Sequence, residues 1–456
     1  MFINRQTELD LLEQRYASRQ AELFVLYGRR RVGKTELLAH FCAGKHHIFF
    51  VADLSSEAVL RANLSAALNT EADAPSAIYA SWEDVWRALG QRAKTERLIL
   101  VLDEFTYLLA AHPPLGSILQ RLWDSTLRHT QLMLILCGSY ISMMEDAVLG
   151  YRAPLYGRRT AQYLLEPLDF YAARLFFAEY ALADQVRLYA ILGGTPAYLS
   201  AAAAAASPID FIQQQILTRG TFLYDEARFV LQQELREPRH YFAVLEAIAA
   251  GRTRLNDIKL ATGLDNLTPY LDTLQNLRLI DRQVPVTDDQ PHKSRRGLYR
   301  LRDPFFRFWF RFVHPNRSTL EQGQALVVAQ QRVLPQLDSF VATAFEEICQ
   351  QLMWRVPLPF AVRRVGGWWR ANEEIDVVAL GDEAALLIEC KWTARPMGVD
   401  LLRDLERKAV ALKPEIGARR LYFGLCARSG FTPQVVALAA DRADLYLFDL
   451  PRIVTG

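Results

Sequence analysis

One stretch of the chain has the residue types and spacing of a phosphate-binding loop. Residues 28–35 read Gly-Arg-Arg-Arg-Val-Gly-Lys-Thr and directly follow an apolar run at 23–27. A strand, a glycine-rich loop and a helix in this order point backbone N–H groups and a helix N-terminus at an anion. Gly28 and Gly33 let the backbone approach it closely. Lys34 can reach the β- and γ-phosphates, and the Thr35 hydroxyl can bind Mg²⁺. We therefore predict an ATP/ADP site that includes Gly28, Arg31, Val32, Gly33, Lys34, Thr35 and Glu36.

Two later apolar runs could complete this site. The run at 98–102 ends in Asp103 and Glu104, and continuous apolar runs of this kind suit a parallel sheet covered on both faces. At the carboxyl end of such a strand, Asp103 would hold Mg²⁺ directly or through water, and Glu104 would polarise the attacking water. We expect Lys34 and Glu104 to be catalytic. The run at 132–137 ends before Ser139, which either contacts the γ-phosphate or the water, or only marks a strand-to-loop turn.

A second group of polar residues lies near the C-terminus, in two short strand-like runs at 374–380 and 385–392. A hairpin turn centred between positions 382 and 383 would place Asp376 directly opposite Glu389, with Cβ atoms about 5 Å apart. Lys391 lies two residues beyond Glu389 and so shares its face. Ile388 and Cys390 would point to the other side, into a core.

This arrangement predicts a divalent-metal site. Two adjacent carboxylates raise each other's pKa unless a cation neutralises them. Mg²⁺ or Mn²⁺ bound by Asp376 and Glu389 could polarise a phosphodiester and generate a hydroxide, while Lys391 orients the water or stabilises the developing charge. The alternative is a hairpin with surface charges, but burying these groups without a purpose is costly. We expect Asp376, Glu389 and Lys391 to be catalytic.

Composition sets limits on the kind of protein. The 456 residues predict two to four domains. The net charge of +2 means that nucleic-acid binding would depend on local patches. The five cysteines are scattered and form no Cys-x-x-Cys, which argues for a reducing cytosol and against disulfides or structural zinc. The N-terminus lacks a signal-peptide pattern, and no apolar run of about 20 residues predicts a membrane span. We expect a cytoplasmic protein without membrane contact.

The middle of the chain predicts two helical modules. Residues from about 161 to 235 have helical patterns and would form a lid over the nucleotide. From 240 the pattern changes to three helices followed by two short strands, which is typical of a winged helix-turn-helix. Thr253 would cap the second helix and Gly263 would end it. Thr268 would cap the third helix, with a proline at its first position.

A winged helix usually reads DNA through its third helix, but here most cations lie in the expected wing. The cluster could neutralise several phosphates, or it could be ordinary solvated charge in a module that only couples domains. Its members are Lys293, Arg295, Arg296, Arg300 and Arg302. The aromatic run at 303–312 is more typical of a core helix than of a base-stacking platform, because its rings recur at helical spacing.

The order of motifs resembles the AAA+/STAND group of P-loop ATPases, and more closely a prokaryotic and archaeal ATPase family. Members of that family begin with an F-x-x-R-x-x-E-L box, matched here by residues 2–9, and carry a G-G-x-P element in the lid, matched by 193–196. The resemblance implies that the box packs beside the nucleotide base, which adds Arg5 to the nucleotide-binding residues. The lid element adds Pro196. Residues 156–159 also resemble the family, and either Arg158 or Arg159 could neutralise phosphate charge, or both could be surface arginines.

The C-terminal residues resemble the PD-(D/E)xK nuclease motif, with Asp376, Glu389 and Lys391 in the matching positions. The superfamily usually adds an acidic residue from an upstream helix. Glu346 best matches that position, which makes it a further metal ligand, and its neighbour Glu347 stays an alternative. The sequences at 366–370 and 389–392 are similar to a C-terminal domain of uncharacterised function that is often fused to these ATPases.

The expected architecture is α/β: a P-loop ATPase core (1–160), a helical lid (161–238), a winged helix-turn-helix (239–315) and a restriction-endonuclease-like α/β domain (316–456). The functional hypothesis is an ATP-driven switch that acts on DNA through a nuclease-like domain. Two alternatives remain, a non-cleaving DNA-binding ATPase and a regulatory switch that holds ADP, in which the C-terminal domain only binds DNA or a partner. The sequence leaves the oligomeric state open, with a homo-oligomer among the alternatives.

Overall fold

The computed structural model describes residues 2–69, 78–203, 205–235 and 237–456. They fall into two compact units, Met1–Pro167 and Leu168–Gly456. Each unit contains a five-stranded sheet, and the second also contains a two-stranded ribbon. Among the residues so described, no helix has the length and apolar character that crossing a bilayer requires.

The sheet of the first unit is parallel, in the order β2-β3-β4-β1-β5. Strands β1, β3 and β4 are buried along their whole length, as their unbroken apolar sequences predict. The strands are β1 (Glu22–Tyr27), β2 (His47–Val51), β3 (Leu98–Asp103), β4 (Leu132–Gly138) and β5 (Ala161–Leu164). The helices are α1 (Gln6–Ala17), α2 (Lys34–Cys42), α3 (Glu57–Asn69), α4 (Trp82–Thr95), α5 (Phe105–Ala111), α6 (Leu115–Ser125) and α7 (Ile141–Met144).

One expected boundary is corrected by the sheet. The helical lid was expected to begin at residue 161, but β5 pairs with β1 from Phe24↔Ala161 to Tyr27↔Leu164. Four residues at 161–164 are too short to show a helical or alternating period, so the sequence did not reveal this strand. The second unit starts at Leu168, and its first helices are α8 (Phe170–Ala173), α9 (Leu182–Leu192), α10 (Pro196–Ala202), α11 (Pro208–Phe211) and α12 (Glu226–Glu234).

Three helices and a ribbon follow, in the expected order. They are α13 (Pro238–Ala249), α14 (Leu255–Thr262), α15 (Thr268–Asn276), β6 (Ile280–Gln283) and β7 (Leu298–Leu301), and β6 pairs antiparallel with β7. Gly263 ends α14 in the left-handed conformation, as expected. The expected caps are wrong: the residues before α14 and α15 are Arg254 and Leu267, and neither makes a side-chain cap.

The aromatic run forms a buried helical segment. It begins as α16 (Pro304–Phe308) and continues as a π-helical turn over Trp309–Val313. The Asp303 side chain caps α16 by accepting hydrogen bonds from two backbone N–H groups. Phe305, Phe308, Trp309 and Phe312 are all buried, so this run is core rather than a stacking surface. Two short helices, α17 (Arg317–Glu321) and α18 (Ala325–Val328), lead to the long α19 (Leu337–Leu352).

The C-terminal sheet has the order β12-β11-β10-β9-β8. Its strands are β8 (Arg364–Arg370), β9 (Glu373–Leu380), β10 (Ala384–Lys391), β11 (Arg420–Ala427) and β12 (Leu445–Asp449). Strands β8, β9 and β10 are antiparallel neighbours, whereas β10, β11 and β12 are parallel. The parallel connections are made by helices, as they must be: α20 (Val399–Ile416) and α21 (Pro433–Asp441), with α22 (Leu450–Thr455) after the last strand.

Candidate functional sites

The phosphate-binding loop joins β1 to α2, as its sequence predicts. Gly28 has φ of 151°, and a Cβ there would lie 2.4 Å from the Leu165 carbonyl oxygen. Gly33 precedes α2 in the left-handed conformation at φ 92°. Both positions therefore require glycine. The buried Lys34 ammonium donates to the carbonyls of Gly28 (2.8 Å) and Arg29 (3.0 Å), which holds it inside the loop.

The strand ends bring the expected partners to this loop. The Thr35 hydroxyl donates to the Asp103 carboxylate at 2.6 Å, so the two predicted Mg²⁺ ligands are in direct contact. The hydroxyl and carboxylate oxygens fit a magnesium ion. Ser139, at the end of β4, donates to Glu104 Oε1 at 2.7 Å. The second oxygen, Glu104 Oε2, is buried and has no hydrogen-bond partner within the described ranges. It can therefore accept a hydrogen bond from a water or a nucleotide.

Arg5 is buried and contacts the phosphate-binding loop. It stands before α1 at φ 72°, and its guanidinium donates to the Val32 carbonyl at 3.0 Å and to Glu8 at 3.0 Å. Because the guanidinium is nearly buried, it fixes the N-terminal box against the loop. Val32 is buried, whereas Arg31 and Glu36 are exposed. Their part in nucleotide binding stays a prediction.

The remaining residues expected at the nucleotide are placed as follows. Arg158 pairs with Asp124 at 3.0 Å, and Arg159 donates to the Leu149 carbonyl at 3.2 Å. Each arginine therefore has a partner within the first unit. Pro196 is the first residue of α10 in the second unit, and its nucleotide contact stays a prediction.

The hairpin near the C-terminus has the register that the sequence predicts. The β9–β10 pairs run from Leu380↔Ala385 to Val377↔Ile388; continued by one residue, this register would set Asp376 opposite Glu389. The Asp376 carboxylate accepts the Cys390 N–H at 2.8 Å. Burial, and then the charge of Glu389, raise the pKa of Asp376 to about 6. The two carboxyl groups are thus close enough to interact.

Glu389 is bound by two lysines from different elements. Lys391 donates to Glu389 Oε1 at 2.5 Å, and Lys408, from α20, donates to Glu389 Oε2 at 3.1 Å. Lys408 also pairs with Asp404 at 3.1 Å. Burial acts to lower the pKa of both lysines, but the acidic neighbours together outweigh it and raise both pKa values: Glu389 and Asp376 for Lys391, and Glu389 and Asp404 for Lys408. Glu389 therefore lies on the face of the sheet that α20 covers.

The structure distinguishes between the two candidate glutamates of α19. Glu347 pairs with Arg307 at 2.7 Å. Burial, and then the negative charge of Asp376, raise the pKa of Glu346 to about 8. Glu346 is therefore the glutamate that approaches Asp376. The raised pKa of Glu346 indicates that neighbouring cations do not fully compensate the negative charge of its ionised form.

These groups fit a divalent ion, although they are not tightly gathered. Within the described ranges, the oxygens of Glu346, Asp376 and Glu389 do not form a set in which all lie within 4.8 Å of one another. Side-chain rearrangement, with Lys408 leaving Glu389, would be needed for all three to bind one ion. The donors are carboxylate oxygens, which Mg²⁺ and Mn²⁺ prefer. The raised pKa values of Glu346 and Asp376 mean that their ionised forms are disfavoured, and a bound cation would stabilise those ionised forms.

Part of the basic cluster after β6 is already paired with the C-terminal sheet. Arg296 binds Asp288 and also Glu415 of α20, the latter at 2.9 Å. Trp369 donates to the Arg296 carbonyl at 3.0 Å, and Arg300 lies 3.9 Å from Glu374. Lys293 and Arg295 are exposed. Acidic side chains therefore hold the Arg296 guanidinium, and phosphate binding by the rest of the cluster stays a prediction.

Two features of these sites were not found from the sequence. Lys408 belongs to no recognisable motif, and its spacing of four residues from Asp404 is that of an ordinary helical ion pair. The structure also brings together three of the cysteines that the sequence scatters. Cys349, Cys390 and Cys426 are buried with their sulfurs within 4.8 Å of one another. The sequence argument against a cysteine metal site rested on local spacing, which does not detect ligands from separate elements.

Comparisons with known proteins find two family matches along the chain. Residues 2–202 match a family described as an ATPase domain predominantly from Archaea. Residues 309–408 match a family described as archaeal and bacterial proteins of unknown function. The chain is 34% identical over 420 residues to the uncharacterized protein MJECL04 of Methanocaldococcus jannaschii, covering 90% of this chain and 92% of that one. The chain belongs to this family of archaeal-type ATPases with a C-terminal domain of uncharacterised function.

Solved structures support the fold of the ATPase part. The Walker-type ATPase paby2304 of Pyrococcus abyssi is similar with a TM-score of 0.52 at 21% identity, over 68% of this chain and 96% of that one. The Aeropyrum pernix ORC1 protein, solved in complex with DNA, covers 72% of this chain and 94% of its own with a TM-score of 0.34 at 14% identity. That score is too low to support an inference about fold or partner. The chain thus contains an archaeal-type ATPase domain with a P-loop α/β fold.

Proposed function

We propose that this protein is an ATP-hydrolysing switch that acts on DNA and carries a divalent-metal-dependent nuclease site in its C-terminal sheet. The observation that supports the nuclease part is the contact between Lys391 and Glu389, together with the hydrogen bond from the Cys390 N–H between them to Asp376. Glu346 of α19 would join these residues once the side chains rearrange. Burying a carboxylate such as Glu389 is costly unless it binds something, and a neighbouring lysine can stabilise the charge that develops on a phosphodiester.

The ATPase site supports a defined division of roles. Lys34, at the start of α2, would bind the β- and γ-phosphates, while Thr35 and Asp103 would hold Mg²⁺. Glu104, oriented by Ser139, would position the attacking water. A Glu104→Gln variant should therefore keep ATP binding but lose about 10²–10³-fold in turnover. Steady-state phosphate release and nucleotide binding measure the two effects. Equal loss of binding and turnover would contradict the role given to Glu104.

In the C-terminal site, a bound divalent ion would polarise the phosphodiester and lower the pKa of a water. Asp376, Glu389 and Glu346 would hold the ion. Lys391 would stabilise the developing charge, and Lys408 would keep its contact with Asp404 when Glu389 turns to the ion. The three helices and ribbon of 238–301 support a winged helix-turn-helix, whose exposed Lys293 and Arg295 would contact DNA phosphates.

The decisive experiment compares plasmid nicking with Mn²⁺ or Mg²⁺ by wild-type protein, Asp376→Asn and Lys34→Ala. We expect nicking by the wild type, none by Asp376→Asn, and ATP turnover lost only in Lys34→Ala. Glu374→Gln is the matched control, because this neighbouring carboxylate lies on the same strand and has no role in the proposed site. Nicking that persists in Asp376→Asn would refute the assignment.

A second candidate is favoured by the double pairing of Glu389 with Lys391 and Lys408. In that state the ion pairs satisfy the carboxylate, and the domain would bind DNA or a partner without cutting it. Intact plasmid together with DNA-stimulated ATP hydrolysis would select this function. Tightly bound ADP with negligible turnover would instead select a regulatory switch.

A further inference from the structure

Three buried thiols meet between α19 and the C-terminal sheet. Cys349 comes from α19, Cys390 from β10 and Cys426 from β11, and Cys390 and Cys426 are directly paired across the parallel ladder. Their exposed fractions are 0%, 6% and 0%. All three sulfurs lie within 4.8 Å of one another. We propose that these three cysteines form a binding site for a thiophilic d¹⁰ metal ion, separate from the carboxylate site.

The geometry is close to what such an ion needs. With metal–sulfur bonds of about 2.3 Å, three ligand sulfurs lie about 3.8–4.0 Å apart. The cluster therefore needs a contraction of less than about 1 Å, which side-chain rotation of cysteines on one helix and two adjacent strands can supply. The strand register fixes two of the ligands, so little ordering remains when the ion binds.

The ligand chemistry selects the class of ion. Thiolates favour Cu(I) and Zn(II) over Mg²⁺ or Mn²⁺, so this site and the carboxylate site would not compete for one metal. Within the described part of the chain, no fourth histidine, cysteine or carboxylate joins the three sulfurs. Structural zinc sites are usually four-coordinate. Three sulfurs therefore favour Cu(I), and Zn(II) would need a further ligand.

The surroundings distinguish this cluster from ordinary buried cysteines. Cys42 and Cys137, in the first unit, also lie in an apolar core, but they join no group of close metal-ligating side chains among the described residues. The positive charge of Arg452, on α22, acts on Cys426 and would offset part of the negative charge of a metal–thiolate group. Cys42 and Cys137 thus provide a control within the same chain.

The thiol site is joined to the carboxylate site through the backbone. Cys390 lies between Glu389 and Lys391, its side chain faces α19, and its N–H donates to Asp376. Cys349 is one helical turn after Glu346. An ion that draws the three sulfurs together would therefore hold β10 and α19 in one relative position, and so fix the backbone that carries the carboxylates.

The test is an anaerobic titration of the full chain, freed of metal by a chelator and kept reduced, with Cu(I) and separately with Zn(II). We expect about one ion per chain, a sulfur-to-metal ultraviolet charge-transfer band, and a rise in Tm. Cys349→Ala, Cys390→Ala and Cys426→Ala should each lose the band, whereas a Cys42→Ala/Cys137→Ala protein should keep it. Either ion giving this pattern supports the site, and Cu(I) with the higher affinity supports three-sulfur binding.

A second measurement uses the wild-type protein, in case a variant fails to fold. Alkylation of thiols in mild denaturant should modify all five cysteines of the metal-free protein but spare three when the ion is bound. Asp376→Asn should retain both the band and the protection, which separates this site from the proposed nuclease function. Neither ion giving a charge-transfer band, or equal protection of Cys42 and Cys137, would overturn the proposal.

Discussion

Glu346 and Asp376 are partly buried acids whose charge the fold leaves incompletely neutralised. The folded-state pKa of Glu346 is raised from 4.5 to about 8, and that of Asp376 from 3.8 to about 6. Between the unfolded and folded values, the folded state holds a proton that the unfolded state has lost. Their contribution to stability is therefore present below the unfolded values and is lost as the pH rises through the folded ones.

The first prediction concerns Glu346→Gln in metal-free buffer. At about pH 8 the variant should have a free energy of unfolding higher by on the order of 1–2 kcal/mol, because it removes a buried charge. Near pH 4 the difference should vanish, since both forms are then neutral at this position. Urea unfolding across this pH range measures it, and added Mn²⁺ at pH 8 should stabilise the wild type more than the variant.

Glu347→Gln is the matched control on the same helix. It breaks the 2.7 Å ion pair with the mostly buried Arg307, so it should destabilise the protein at pH 8 rather than stabilise it. If both variants respond to pH in the same way, the special position of Glu346 is wrong.

At the scale of elements, the segment between β6 and β7 is attached to the C-terminal sheet rather than extended as a free wing. Val286 N–H donates to the Gly367 carbonyl at 2.9 Å, and Thr287 donates to Glu415 at 2.5 Å. Trp368 also donates to Glu415 at 3.0 Å. Glu415 thus joins this segment to β8 and α20, and Arg296 completes the network.

The second prediction compares two neighbouring arginines of this segment. Arg296→Ala should lower the free energy of unfolding by about 1–3 kcal/mol, because it removes the cation that binds both Asp288 and Glu415 and leaves Glu415 only the more distant Arg370, at 3.8 Å. Arg295→Ala should leave stability within about 0.5 kcal/mol, because this side chain is exposed. Chemical denaturation of the two variants measures both effects.

DNA binding should depend on the exposed Arg295 rather than on Arg296, which acidic side chains already hold. If Arg295 contacts a phosphate, Arg295→Ala should reduce the salt dependence of DNA binding by about one unit of slope, measured by fluorescence anisotropy over a range of salt. Unchanged slopes for both Arg295→Ala and Lys293→Ala would exclude this segment from the DNA contact.

At the scale of the whole molecule, the phosphate-binding loop and the Asp376 cluster lie in different compact units and share no residue. The Lys34 site belongs to Met1–Pro167, and the Asp376 site to Leu168–Gly456. Any coupling between ATP and the C-terminal site must therefore pass through a change in conformation rather than a shared ligand.

The third prediction follows from the proposed switch. ATP should change the metal-dependent nicking rate of the wild type, and Lys34→Ala should abolish that response while leaving basal nicking measurable. Asp376→Asn should leave DNA-independent ATP turnover within about twofold of the wild type. Nicking with and without ATP, beside phosphate release for each variant, tests it. An ATP response that survives Lys34→Ala would contradict the coupling.

Much of both sites could be predicted because their geometry is local in sequence. The loop from Gly28 to Thr35 is one continuous segment, and its glycines specify its conformation. The pairing of Asp376 with Glu389 follows from a short hairpin, in which the turn alone sets the register. Asp103 and Ser139 could be placed because parallel strands end at the same edge of a sheet. In these cases the chain's own connectivity brings the groups together.

The tertiary structure alone decided the contacts between elements that are remote in sequence. It placed Lys408 on Glu389, attached Arg296 to Glu415, and gathered Cys349, Cys390 and Cys426. None of these contacts has a fixed spacing, because each depends on how a helix packs on a sheet and which of its side chains then faces inward. Sequence patterns specify elements and their apolar faces, whereas packing selects the neighbours that those faces meet.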